Sequence, residues 1–250
     1  MASPAVVRTI LRTPAALRPL LLRAPRAAYH EQHHDQATPY GDAERTILSH
    51  ALAYVPAHGF TQEAITFGAK DAGYLDVSRN LFPKGTFDLV MYHLVTQRQG
   101  LKDRIQFPDE TMGVGKKVRS LVIERLRANA DAGVVWRWQE ALGVMSLAEN
   151  IPASLRELGL LSDEMWFLAG DTSVDGSWYT KRASLSGIYA ATEVFQTTDQ
   201  STEFKDTEQF LDRRLEELRV TGSAVGNTMQ WMGFQGGALM NMLRSKGVRI

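Results

Sequence analysis

The chain has 250 residues, of which 44% are hydrophobic and 22% charged, an ordinary composition for a globular protein with a sizeable core. The formal net charge is zero, yet residues 1–30 hold five arginines and no acid. The remainder has 23 basic and 28 acidic residues, a net charge of −5. This acidic surplus argues against a partner bound mainly through phosphate neutralisation. The absence of cysteine excludes disulfides, thiolate nucleophiles and zinc sites with cysteine ligands.

The first thirty residues have the composition of a mitochondrial transit peptide, with spaced arginines among alanines, leucines and hydroxyl residues. We expect cleavage near Arg26 to His30. The alternative is a basic amphipathic helix that stays in the mature protein. Residues 31–42 are polar, contain proline and glycine and show no apolar period, so they are interpreted as a linker.

The middle of the chain is predicted to be helical, because apolar residues recur at three- and four-residue spacing and no segment alternates with period two. The first helix is expected to end at Gly59, with Thr61 as the N-cap of the second. Asn150, with a proline two residues later, marks another helix start. We therefore expect an all-α fold with one helical domain over residues 43–220.

A separate amphipathic helix is expected over residues 223–246, after a break at the Thr-Gly-Ser-Ala stretch 221–224. Its apolar arc consists of Val225, Met229, Met232, Leu239, Met240 and Leu243. A Met-rich helix with aromatic flanks can lie in a membrane interface, so these six residues are interpreted as membrane-contacting. The alternative is an ordinary core helix. No run of about 18 apolar residues occurs, so no spanning helix is expected.

Residues 47–85 have the order of helix, capped helix, turn and short helix that is typical of a helix-turn-helix. They resemble the N-terminal signature of the TetR repressor family, with Gly-Phe-Thr before the second helix and Phe-Pro-Lys-Gly after the third. A DNA reader needs positive charge and base-reaching polar groups on the third helix. This one offers Arg79 alone, beside Asp76. We therefore expect a TetR-like fold that has lost DNA binding.

TetR-like domains commonly form a cavity for an apolar ligand in their C-terminal helices, and this chain has the apolar residues for one. Those residues are Leu121, Leu126, Trp136, Trp138, Met145, Leu155, Leu158, Leu160 and Leu161. The alternative for each of them is a filled core. The sequence does not assign the residues that would contact a lipid.

No other motif indicates a catalytic centre. Glu31 and His34 have the spacing of half a di-iron site, but such a site needs that element twice with further carboxylates. Residues 113–118 lack the spacing and the hydroxyl of a P-loop. We therefore predict a binding protein rather than an enzyme, with no catalytic residue, no metal and no cofactor.

The most specific pattern lies in residues 165–182 and reads M-W-x-x-A-G-D-x-x-x-D-x-x-W-Y-T-x-R. With this pattern, residues 44–243 resemble the family of lipid-binding accessory proteins of mitochondrial ubiquinone (coenzyme Q) biosynthesis. The resemblance implies a TetR-like homodimer, peripheral on the matrix side of the inner membrane. It also implies that the protein binds isoprenoid quinone lipid and docks the di-iron demethoxyubiquinone hydroxylase. Nucleic acid is not an expected partner.

The same resemblance implies that the hydroxylase contacts the residues around Trp178. The expected partner-binding residues are Asp163, Met165, Trp166, Asp175, Trp178, Tyr179 and Arg182. Aromatic side chains beside an arginine are typical of interaction hot spots, which supports this role. The alternative for Trp178 is buried packing. Two other functions stay open: a TetR-type transcription regulator that binds DNA and an apolar ligand, and an isoprenoid-modifying enzyme with Asp171 or Asp175 as general base.

Overall fold

A computed structural model describes residues 39–109, 111–171 and 177–224. In these ranges the chain forms nine α-helices and three short 3₁₀-helices, without a β-strand, so the predicted all-α fold is confirmed. The α-helices are α1 (Asp42–His58), α2 (Gln62–Asp71), α3 (Thr86–Gln99), α4 (Leu101–Arg104), α5 (Val114–Asp131), α6 (Trp138–Met145), α7 (Ile151–Leu168), α8 (Ser177–Gln196) and α9 (Lys205–Ala224). The 3₁₀-helices are Asp76–Leu81, Val135–Arg137 and Thr202–Phe204.

Three predicted helix boundaries are confirmed, at Gly59, Thr61 and Asn150. Gly59 terminates α1 with a φ of 73°, a conformation that favours glycine. The hydroxyl of Thr61 accepts a hydrogen bond from the backbone N–H of Ala64 at 3.3 Å, which caps α2. Asn150 immediately precedes α7, and Pro152 lies in its first turn, where the missing N–H costs no intrahelical bond.

The expected third helix of the helix-turn-helix is a six-residue 3₁₀-helix, Asp76–Leu81. Leu75, Val77 and Leu81 present apolar side chains to solvent there. A short 3₁₀ segment with this apolar surface differs from the basic recognition helix that a DNA reader places in the major groove.

Two apolar cores hold the helices together. The first lies between α1, α2, α3 and α6, where α1 and α2 approach so closely that a Cβ on Gly68 would lie 2.4 Å from the backbone nitrogen of Ala51. Glu140 of α6 links this helix to the turn between α1 and α2, because its Oε2 accepts a hydrogen bond from the Phe60 N–H at 3.0 Å. The second core lies between α4, α5, α7, α8 and α9.

The helices α7 and α8 form an antiparallel hairpin that positions both candidate sites described below. Ser162 and Ser186 share a hydrogen bond of 2.7 Å between their hydroxyl oxygens across this hairpin. Nearer the turn, the indole N–H of Trp166 donates to the backbone oxygen of Lys181 at 3.2 Å. The hairpin register is therefore fixed by polar contacts as well as by the second core.

The last described helix is longer than the sequence suggests. Helix α9 continues through residues 221–224, so the predicted break at that stretch is wrong. Its Gly-Ser pair costs helix propensity without ending the helix. The residues interpreted as membrane-contacting, from Val225 to Leu243, lie outside the described residues, as do the predicted transit peptide and most of the linker.

Candidate functional site

Six of the seven predicted partner-binding residues meet where α7 ends and α8 begins. Asp163, Met165 and Trp166 lie on α7, and Trp178, Tyr179 and Arg182 lie in the first turns of α8. Asp175 lies outside the described residues. The name aromatic corner is used below for the group of Asp163, Trp166, Asp171, Trp178, Tyr179, Lys181 and Arg182.

Arg182 organises the aromatic corner from within. Its guanidinium lies 4.0 Å from the ring centroid of Trp178, a cation–π contact. Its Nε pairs with Oδ1 of Asp163, and its Nη1 lies 3.7 Å from Oδ2 of Asp171. The ammonium of Lys181 donates to the other oxygen of Asp171 at 2.8 Å. Two cations and two carboxylates therefore compensate one another, with the Arg182 guanidinium against the Trp178 ring.

The aromatic side chains form the outer layer of the corner. Tyr179 is 74% exposed, and its ring meets that of Trp178 edge to face, with centroids 4.7 Å apart. Trp178 is partly buried, because Arg182 covers one of its faces. The corner therefore presents aromatic surface to solvent, mainly that of Tyr179.

Met165 and Arg182 lie in the interior. Met165 is fully buried in the second core, and only 6% of Arg182 is exposed. A partner that docks on this conformation contacts neither side chain directly. Within the corner, Arg182 serves to position Trp178, and the accessible surface belongs mainly to Tyr179.

Asp171 lacks the environment of a general base. Its side chain is almost fully buried, and its two oxygens face the cations of Lys181 and Arg182. A base needs an accessible oxygen within hydrogen-bond reach of a substrate proton. This arrangement favours a structural role for Asp171.

A second feature is a cavity of about 240 Å³ between α3, α6, α7 and α8. Leu94, Leu142 and Leu158 contribute apolar side chains to its wall. Ile151 and Leu155 also line the cavity and are 39% and 62% exposed, so it opens to the surface beside the start of α7. The cavity is therefore apolar and reachable from outside.

Of the nine apolar residues considered for a cavity, four line this one: Met145, Leu155, Leu158 and Leu161. Leu121, Leu126 and Trp138 fill the cores instead. Trp136 lies on the surface, and Leu160 does not contribute to the wall.

The inner wall of the cavity carries two buried carboxylates, Glu157 and Glu193. Glu157 is engaged on both oxygens by Arg98, whose Nε donates at 2.6 Å and whose Nη2 donates at 3.4 Å. A buried carboxylate in such a pair is compensated, because a two-pronged contact offsets much of the desolvation cost.

Glu193 belongs to a chain of side chains here called the interior network, which consists of His93, Arg125, Asn129, Tyr189 and Glu193. Oε1 of Glu193 accepts from the Tyr189 hydroxyl at 2.6 Å and from Nδ2 of Asn129 at 2.9 Å. Oδ1 of Asn129 in turn accepts from Arg125 at 2.6 Å and from Nε2 of His93 at 2.9 Å. The network connects α3, α5 and α8 behind the cavity.

Burial fixes the protonation states of two network members. Burial lowers the pKa of His93 to about 3, with the nearby Arg125 adding to the effect, so the imidazole is neutral at physiological pH. Burial raises the pKa of Tyr189 well above its ordinary value near 10, so its hydroxyl keeps its proton and donates. Both residues therefore act as neutral donors.

Sequence reasoning missed the interior network entirely. Its members are separated by up to a hundred positions, and none lies in a recognisable motif. The available signal was weak: Arg125 sits among apolar residues in α5, and Tyr189 and Glu193 lie one helical turn apart in α8.

No helix in the described ranges is both long and apolar enough to cross a membrane. No group of three or more histidines and carboxylates in that part of the chain has a geometry suited to a metal ion.

Comparison with known proteins covers both sites. The model of the COQ9 family matches residues 151–222, which contain α7, α8 and most of α9. A protein of Schizosaccharomyces pombe named ubiquinone biosynthesis protein coq9, mitochondrial, is 35% identical over 226 residues, covering 89% of this chain and 88% of that protein. The chain belongs to the COQ9 family. The COQ9 protein of Homo sapiens is 33% identical, covering 89% of this chain and 71% of its own length.

A third relative extends the range of organisms. COQ9-B of Xenopus laevis is 33% identical over 232 residues, covering 89% of this chain and 78% of that protein. All three relatives are named as mitochondrial proteins of ubiquinone biosynthesis.

Proposed function

We propose that this COQ9-family chain is a non-enzymatic lipid-binding protein of mitochondrial ubiquinone biosynthesis. In this proposal it holds isoprenoid quinone intermediates and presents them to the di-iron demethoxyubiquinone hydroxylase. The observation that carries the proposal is the apolar cavity that opens beside α7, on the same hairpin as the aromatic corner. The names of the relatives supply the pathway and the compartment.

The cavity suits part of a lipid rather than a whole one. Pockets that hold drug-sized ligands measure about 300–1,000 Å³, whereas this cavity measures about 240 Å³. It therefore accommodates a head group or a short piece of isoprenoid tail. The rest of a long tail would extend through the opening beside Leu155.

The α7–α8 hairpin gives the proposal its geometry. Trp178 and Glu193 lie fifteen residues apart on α8, which corresponds to about 22 Å along a helix. The aromatic corner would dock the hydroxylase at one end of the hairpin, and the cavity would hold the lipid toward the other. Exposed Tyr179 beside partly buried Trp178 has the composition of an interface hot spot.

The membrane completes the arrangement. Each buried CH₂ contributes about 0.8 kcal/mol, so one isoprene unit resists exposure to water by roughly 3 to 4 kcal/mol. A protein bound to the matrix face of the inner membrane would let the isoprenoid tail pass between bilayer and protein without exposure to water. Residues 223–246 remain the proposed membrane-contacting helix, residues 1–30 the proposed transit peptide, and a homodimer the proposed assembly.

The test compares two exposed leucines near the start of α7. Leu155 lines the cavity and is 62% exposed, whereas Leu147 is 51% exposed and does not line it. Aspartate at either position leaves the core intact. With farnesol as the probe, we expect Leu155→Asp to weaken binding about tenfold, since one lost leucine contact is worth about 1.5 kcal/mol.

Leu147→Asp is the matched control and should bind farnesol like the wild-type protein. Isothermal titration calorimetry measures the affinities, and thermal melts confirm that both variants fold. Equal farnesol affinity in the wild type and both variants would contradict lipid binding in this cavity. The catalytic alternative has its own readout, because turnover of a quinone intermediate by the purified protein without the hydroxylase would contradict the non-enzymatic role.

A further inference from the structure

The side-chain hydroxyl donors on the cavity wall are committed to the protein. The hydroxyl of Ser146 donates to the Gly143 carbonyl at 2.8 Å, and that of Ser154 donates to the Asn150 carbonyl at 2.9 Å. The Tyr189 hydroxyl donates to Glu193. These three are the hydroxyl groups of the wall, so the wall has no hydroxyl proton left to offer a ligand.

One carboxylate oxygen on the wall receives no hydrogen bond from a described residue. Oε1 of Glu193 takes both hydrogen bonds from the interior network, and no described residue donates to Oε2. Protein does not enclose Oε2 completely, since it is absent from the fully buried side-chain atoms that lack a hydrogen-bond partner. Glu193 lines the cavity, and Oε2 is the oxygen of its carboxylate that has acceptor capacity left for a ligand.

The other wall carboxylate does not share this property. Glu157 also lines the cavity, but Arg98 donates to both of its oxygens. A carboxylate oxygen beside an apolar space loses its hydration, and this costs free energy unless a hydrogen-bond donor reaches the oxygen. The cavity is therefore complementary to a ligand that is apolar overall and has a hydroxyl group at its inner end.

We propose that the cavity selects the reduced, hydroxyl-bearing form of a prenylated aromatic ring, whose hydroxyl donates a hydrogen bond to Oε2 of Glu193. This deepens the proposed lipid-binding function and rests on it. A hydroquinone has two hydroxyl donors, whereas the corresponding quinone has only carbonyl acceptors and would place an oxygen lone pair against the carboxylate. The geometry also disfavours anionic lipid head groups, which the Glu193 carboxylate repels.

The test uses three probes with the same tail. Geranyl hydroquinone donates hydrogen bonds, geranyl benzoquinone does not, and geranyl hydroquinone dimethyl ether keeps the reduced ring without donors. Anaerobic titration calorimetry on the wild-type protein should give at least about tenfold tighter binding of the hydroquinone than of either other probe, because hydrogen bonds to charged groups are the strong ones. A tenfold preference would also raise the midpoint potential of the bound probe by about 30 mV.

Glu193→Gln tests the residue itself. The glutamine oxygen can still accept from Tyr189 and Asn129, while its amide N–H would now face the cavity as a donor. The preference for the hydroquinone should therefore disappear or reverse in favour of the quinone. The matched control is Glu164→Gln, a buried residue of α7 that does not line the cavity, and it should keep the wild-type ratio.

Each outcome separates the two proposals. Equal binding of all three probes to the wild type, or an unchanged ratio in folded Glu193→Gln, would overturn the selection of hydroxyl-bearing ligands and leave lipid binding standing. Failure of every probe to bind the wild type would overturn the lipid-binding function as well. If Glu193→Gln does not fold, the comparison of hydroquinone with its dimethyl ether on the wild type still decides the question.

Discussion

The aromatic corner and the interior network each contain a buried arginine, but the two arginines have different partners. In the corner, Arg182 lies between the carboxylates of Asp163 and Asp171 and against the Trp178 ring. In the network, Arg125 hydrogen-bonds to no carboxylate among the described residues. It donates to the neutral Asn129, whose amide nitrogen donates to Glu193.

The difference shows what each arrangement can do. In the corner, direct ion pairs engage both oxygens of Asp171, and the arginine of these pairs lies against the Trp178 ring. In the network, one oxygen of Glu193 receives no hydrogen bond from the part of the chain that the structure describes, and Glu193 lines the cavity. These contacts support the proposed docking role of the corner and the proposed ligand recognition by Glu193.

The largest expected effect comes from removing the arginine of the corner. Arg182→Ala would leave the carboxylates of Asp163 and Asp171 buried without this cation, which should lower the free energy of unfolding by about 3–5 kcal/mol. Denaturant melts measure this change. Wild-type stability of Arg182→Ala would contradict the role of Arg182 as the buried cation that compensates these carboxylates.

The outer layer of the corner should behave in the opposite way. Because Tyr179 is 74% exposed, Tyr179→Ala should change the free energy of unfolding by less than about 0.5 kcal/mol. In its proposed docking role, loss of the Tyr179 ring should weaken hydroxylase binding by about 2 kcal/mol, roughly thirtyfold. Pull-down of the hydroxylase with a parallel melt checks both. Wild-type binding would remove Tyr179 from the proposed interface.

The interior network should make stability depend on pH through His93. Its pKa is about 3 in the folded protein and near 6.5 in the unfolded chain, so below pH 6.5 only the unfolded chain takes up the proton. The stabilisation is present above pH 6.5 and is lost as the pH falls, by about 2 kcal/mol between pH 7 and pH 5.

His93→Gln should remove this dependence, because the amide can donate to Asn129 without titrating. Urea melts of both proteins at pH 7 and pH 5 give the difference directly. His50→Gln, at a histidine on the surface of α1, is the control and should retain the wild-type slope. An identical slope in His93→Gln would show that His93 is not the titrating group.

The smallest effect is expected at the second cation of the corner. The side chain of Lys181 is 35% exposed and Asp171 keeps Arg182 nearby when Lys181 is lost. Lys181→Ala should therefore cost less than about 1 kcal/mol of unfolding free energy. If Lys181→Ala lowered the free energy of unfolding as much as Arg182→Ala does, the two cations would contribute equally to stability. The distinction between a buried and an exposed cation in the corner would then be wrong.

The sequence predicted what local patterns encode. The helical period, the Gly59 terminus and the Thr61 cap gave the all-α fold, and the pattern over residues 165–182 located the aromatic corner because its members lie within twenty positions on one hairpin. The sequence could not separate Met165, which is buried, from Tyr179, which is exposed.

The remaining features depend on tertiary packing. Leu155 lines a cavity and Leu121 fills a core, although both recur at helical spacing, because neighbouring helices decide which space each side chain enters. The pairing of Glu193 with Asn129 brings together α8 and α5, and no local pattern links positions 64 residues apart. The third helix became a 3₁₀ segment for reasons that its sequence alone does not reveal.

The most direct test of the central claim is to identify the lipid that accompanies the protein. The wild type and Leu155→Asp would be purified side by side without delipidation, and their lipids extracted and analysed by mass spectrometry. The account predicts a prenylated quinone-type lipid with the wild type and at least about tenfold less with Leu155→Asp. Recovery of no prenylated lipid, or of equal amounts from both proteins, would contradict it.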